Sequence, residues 1–149
     1  MSTNEEYEGL QRYALLGPMV RKASDKYFAN MFEIQELWKV LVKESFSSRG
    51  HKDQLWGLCQ EGVELAGKWL DAEHTLDPDL VPRDFPCYTR AIMLLEKEHR
   101  CDEAIVLCDQ ALHWTPNSQW YIKKKESLLK KRSGPVNETK GGGGNGDKC

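Results

Sequence analysis

The stretch "RCDEAIVLCDQALHWTP", residues 100–116, decides the fold. Ala104, Cys108 and Ala111 recur at steps of four and three, which places them on one face of a helix. Small side chains on that face let a second helix approach closely. Pro116 stops the run, because proline lacks the amide donor and crowds the preceding turn. Immediately upstream, "FPCYTRAIMLLEKEHR", beginning at Phe85, predicts the partner helix, with Tyr88, Ala91, Ile92 and Leu95 inward. A tight turn at His99–Cys101 joins the two as an antiparallel hairpin. The expected fold class is all-α.

The same periodicity runs through the first half. Between Val20 and about Phe46, the residues Tyr27, Met31, Ile34, Trp38 and Leu41 form one stripe. Gly17-Pro18 predicts a break between this helix and a short N-terminal one carrying Tyr7, Leu10 and Ala14. In "FSSRGHKD" Gly50 suits a helix C-cap, and Asp53 suits the N-cap of a second long helix. There Leu55, Cys59, Gly62, Ala66, Trp69 and Glu73 share a face, and Gly62 and Ala66 leave room for a neighbouring backbone. The prolines of "DPDLVPRDFP" end this region. After Pro116, "SQWYIKKKESLLKKR" predicts a last helix, with Ser118 as cap and Ile122 and Leu129 inward. Lys125 and Glu126 interrupt its stripe, which suits a terminal capping helix with one wet side.

The hairpin at 85–118 resembles a tetratricopeptide repeat (TPR), the helix–turn–helix unit of about 34 residues. Tyr88 stands at the early aromatic position, Ala91 at the first large apolar one, and Leu95 at the late apolar position. Ala104 and Ala111 take the two small positions, with Cys108 between them and Pro116 as terminator. Three residues depart from the pattern: Ile92 stands where a small residue is preferred, Ala91 is smaller than usual, and Cys108 replaces an aromatic. About 34 residues upstream, His74 and Asp77 stand where Cys108 and Ala111 would, so the two long helices are no plain second repeat. The TPR-like resemblance implies stacked hairpins and a concave groove lined by first-helix side chains, suited to a peptide or helix of another protein. Tyr88, Arg90, Met93, Lys97 and Lys124 fall on that surface. The basic clamp with which some members hold acidic C-termini draws on several repeats and is not carried over to one unit.

Residues 1–132 are expected to form one α-helical domain, with N-terminal helices over 1–80 and the TPR-like hairpin and capping helix over 85–132. Residues 133–149, crowded with glycine and ending at Cys149, read as a flexible tail. The 149-residue chain is 40% hydrophobic and 30% charged, with a net charge of −2, and that gives no global attraction to nucleic acid or anionic membranes. No run approaches the roughly 18 apolar residues of a membrane span. The acidic start "MSTNEEYEGL" lacks the order of a secretion signal. With five irregularly spaced cysteines, free thiols and a cytoplasmic location are expected.

Chemistry is harder to read into the chain. His99, Cys101, Cys108 and His113 have ligand types that suit zinc. Yet no Cys-x-x-Cys pair is present, and Cys108 and His113 lie on different sides of their helix. No nucleophile signature surrounds a cysteine, and the glycines of the tail have no flanking strand and helix to make a phosphate loop. The carboxylates of "DAEHTLDPD" and Asp84 read as a solvated connector. No catalytic residue, metal or cofactor is therefore expected. From Trp120 to Arg132, five lysines and one arginine stand against one glutamate, beside Trp120 and Tyr121. Such a helix can follow a phosphate backbone, with Lys123, Lys124 and Lys130 foremost. The expected function is non-catalytic protein–protein interaction in a helical groove. The alternative is a small nucleic-acid-associated accessory role for the basic last helix.

Overall fold

The computed structural model describes residues 2–82 and 85–133, with side chains for 17–82 and 85–132. It is all-α. The helices are α1 (Ser2–Lys43), α2 (Arg49–Leu76), α3 (Pro86–Lys97), α4 (Cys101–Trp114) and α5 (Gln119–Ser133). Each packs against the next, and α3 also reaches back to α1.

The apolar stripes find one another as their spacing demands. Tyr27, Ile34, Trp38 and Leu41 of α1 are buried, with Met31 packed against them. Across from them lie Leu55, Cys59, Gly62, Ala66 and Trp69 of α2. Glu73, at the end of that face, is half-buried and accepts a hydrogen bond from Trp69 Nε1 at 3.0 Å. On α4, Ala104, Cys108 and Ala111 are fully enclosed. At Ala104 a larger side chain has no space, so Ala104→Leu is expected to cost roughly 1–3 kcal/mol through overpacking. Thermal unfolding checks it, and an unchanged Tm would show that the α4 crossing is not tight.

Three helices meet at Gly62. A Cβ built there would lie 2.6 Å from Cys87 Cβ on α3 and would strike Asn30 Oδ1 on α1. Asn30 Nδ2 donates to Leu58 O at 3.0 Å, tying α1 to α2 at this level. Its Oδ1 is buried and finds no hydrogen-bond partner among the described residues.

Helix ends account for most of the differences from expectation. α1 runs unbroken through Pro18 rather than stopping at Gly17-Pro18. Pro18 lies on the exposed side while Gly17 and Val20 are buried, so the missing amide bond falls where water tolerates it. α1 then ends without glycine. Ser45 and Phe46 take left-handed φ of 55° and 57°. Phe46 N donates to Leu41 O and Ser45 N to Val42 O, which together form a Schellman closure. The Phe46 ring meets Trp38 edge-on at 5.0 Å, a contact that holds the unusual backbone in place. Because this turn comes early, Ser48, not Asp53, caps α2 by accepting from His51 N at 3.1 Å. Gly50 lies inside the first turn of α2 rather than at a C-cap.

The α3–α4 turn closes in the same way. His99 takes φ 61°, Arg100 N donates to Leu95 O and His99 N to Glu96 O. α3 itself opens with Pro86 in its first turn, where a missing amide is harmless. On α5 the inward residues are Tyr121 and Leu128, each one position before the expected Ile122 and Leu129, which are half-buried. The 133–149 tail with Cys149 lies outside the described residues apart from Ser133 in α5, as do Asp84 and the side chains of Tyr7, Leu10 and Ala14. No helix among the described residues is long and apolar enough to cross a membrane.

Candidate functional site

The alternate helices α1, α3 and α5 border a groove of about 450 Å³. Its walls are Gln35 from α1, Thr89, Arg90 and Met93 from α3, and Trp120 and Tyr121 from α5. Two of the five residues expected on a binding surface, Arg90 and Met93, lie here. The Arg90 guanidinium sits 4.5 Å above the Trp38 ring, Nε donates to Gln35 Oε1 at 2.9 Å, and Nη1 approaches Met93 Sδ at 3.7 Å. Burial draws its pKa below the ordinary value, the expected response of a cation with part of its hydration removed.

The other three lie elsewhere. Tyr88 is a correction: only 3% of it is exposed, because that face of α3 closes the core. Its ring meets Phe85 at 5.0 Å, and burial pushes the hydroxyl up to about 12 although Trp114 donates to it. Lys97 stands at the other end of α3 with Nζ 4.4 Å above the Phe46 ring. Lys124 pairs with Glu96 Oε1 at 2.8 Å and lines a shallower depression with Lys123, which shares Trp120 with the groove.

Sequence reasoning missed Gln35 and Thr89, and it assigned Trp120 to the basic helix rather than to this groove. Gln35 and Thr89 are polar and sit beside apolar stripes, where periodicity assigns them to solvent. Trp120 was visible as an aromatic at the head of α5. Its 40% exposure beside a groove depends on how α5 docks, and that lies in no local pattern.

The basic helix is less open than its composition suggests. Lys124 and Lys131 both reach Glu96, Lys125 pairs with Asp109 at 2.6 Å, and Arg132 pairs with Asp102 at 3.0 Å. These pairs fasten α5 to α3 and α4. Burial raises the Glu96 carboxyl pKa, and the two ammonium groups outweigh that and hold it below its ordinary value. A carboxyl whose folded pKa is lowered stabilises the fold above its unfolded pKa and loses that contribution as the pH falls through the folded value. Acidification below about pH 4.5 is therefore expected to loosen the fold by roughly 1 kcal/mol through this cluster. Glu96→Gln, compared with the parent in pH-dependent melts, should show a flatter slope there. An identical slope would mean that Glu96 does not set the response to acid.

Of the residues with zinc-like character, Cys101 and Cys108 are buried in the core while His99 and His113 are exposed, so the fold separates them. Among the described residues no group of three or more His, Cys, Asp or Glu is placed to hold a metal. Burial pushes the thiols up, Cys87 to about 12 and Cys108 to about 11.

No protein-family model matches the chain, and neither a curated protein nor a solved structure is significantly similar to it.

Proposed function

We propose that the chain is a non-catalytic adaptor that holds a peptide or helix of a partner protein in the groove between α1, α3 and α5. The observation that carries the reading is the groove itself. It is concave, part apolar and part polar, and its walls come from alternate helices, as in stacked TPR-like hairpins. A cytoplasmic location is part of the same reading, since the thiols of Cys59, Cys87, Cys101 and Cys108 are free.

A catalytic role has less support. Burial raises the thiols of Cys87 and Cys108 above their ordinary range, and among the described residues that line the groove there is no carboxylate or histidine. The nucleic-acid reading is weakened by the ion pairs of α5, which engage Lys124, Lys125, Lys131 and Arg132 with carboxylates of the same chain. A nucleic acid would have to displace them.

Affinity capture from a native lysate at moderate salt, with and without nuclease, tests the function. The expected result is a discrete protein that survives nuclease and is lost when Met93→Arg fills the groove. Recovery that collapses on nuclease treatment would transfer the function to nucleic acid.

A further inference from the structure

The groove has a direction that its volume alone does not convey. On α1, Phe28 and Phe32 are 46% and 65% exposed, although large aromatics gain most from burial. Phe28, Phe32 and Gln35 follow one another at steps of four and three, so they share one face of α1. Gln35 is already a wall of the groove. An apolar shelf therefore leads along α1 into the groove. Phe28 is braced there by Trp69 at 5.4 Å and Tyr27 at 5.1 Å, so its ring is held without being covered.

At the inner end of this shelf stands Arg90. Arg49, Arg100 and Arg132 each meet a carboxylate of the chain. Arg90 meets none among the described residues. Its contacts are an amide oxygen, a thioether and an indole face, all neutral. A guanidinium has five N–H donors, and these neutral contacts leave donors and a full positive charge unanswered. The Trp38 ring and the bond to Gln35 Oε1 hold the group in place, so a carboxylate meets a guanidinium that is already positioned.

We infer that the groove takes an amphipathic helix of a partner protein, which rests apolar residues on Phe28 and Phe32 and turns an acidic side chain onto Arg90. This deepens the adaptor reading and rests on it. The seven-residue step from Phe28 to Gln35 spans about 10 Å of helix. The partner's acidic residue therefore lies about two turns from its outer apolar anchor, on the same face.

The test uses the full chain and a displayed library of random peptides about 16 residues long, enough for four helical turns. The expected result is enrichment of peptides with large apolar residues at i and i+3 or i+4 and an Asp or Glu about two turns from the outer one. Changing that acid to its amide in a selected peptide should weaken binding about tenfold, the size expected when a charge-assisted hydrogen bond is lost. The same change should have no effect on Arg90→Met, which keeps an unbranched apolar side chain at this position and lacks the charge. Phe32→Ser, at an exposed position, should abolish enrichment. Peptides that need Phe32 but show no acid preference would overturn the inference and leave the groove reading intact. Peptides indifferent to both variants, or no enrichment at all, would overturn both.

Discussion

Gly62→Leu lowers the stability of the chain by roughly 3 kcal/mol or more, at or beyond the upper end of ordinary overpacking. The cause is local and specific. Even a methyl group at this position would lie 2.6 Å from Cys87 Cβ and against Asn30 Oδ1. Cys87 Cβ is attached to the α3 backbone, so α3 must move away for the side chain to fit. Displacing Asn30 also endangers its bond to Leu58 O, the hydrogen bond that ties α1 to α2 at the crossing. Gly57, on the same helix, provides the contrast. Nothing lies within 4 Å of a Cβ there, so Gly57→Ala should stabilise by about 0.5–1 kcal/mol through helix propensity alone. Opposite signs in denaturant melts are the expected outcome. Two stabilising substitutions would mean that the three helices do not cross at Gly62.

Leu128→Ala is expected to cost roughly 3 kcal/mol, because the residue is fully enclosed and its loss leaves a cavity beneath α5. Leu129→Ala, one residue on and half-buried, should cost about 1 kcal/mol or less. The pair discriminates between two registers of α5. The reverse order would restore Ile122 and Leu129 as the inward residues and rotate Trp120 and Lys124 away from where they now stand. Because α5 forms one wall of the groove, Leu128→Ala should also weaken partner binding more than Leu129→Ala does.

That one-residue slip on α5 shows where the sequence stops being informative. Tyr27, Ile34, Trp38 and Leu41 on α1, and Ala104, Cys108 and Ala111 on α4, sit on faces with clear apolar contrast, and their burial follows from spacing. On α5, five lysines spread around the helix leave only weak contrast, and two adjacent leucines serve either register. The caps were lost for a different reason. Glycine and aspartate are the ordinary signals for an end and a start, so Gly50 and Asp53 drew the boundary. The chain instead turned at Ser45 and Phe46, with the Phe46–Trp38 contact, a tertiary one, stabilising the turn. The groove was legible only in part for the same reason. Arg90 and Met93 come from the resemblance, which lines a groove with first-helix side chains. The same resemblance puts Tyr88 on that surface, although its spacing with Ala91, Ile92 and Leu95 marks it as core.

Site-specific photo-crosslinking shows whether the face formed by α1, α3 and α5 binds another protein. A photoreactive side chain is placed at Thr89, in the groove wall, and separately at Val106, exposed on α4 away from the groove lining. Each full-length protein is then irradiated in a native lysate treated with nuclease. A discrete protein adduct is expected from position 89 and none from position 106. An adduct formed equally at both positions, or at 106 alone, would mean that no partner sits in the groove.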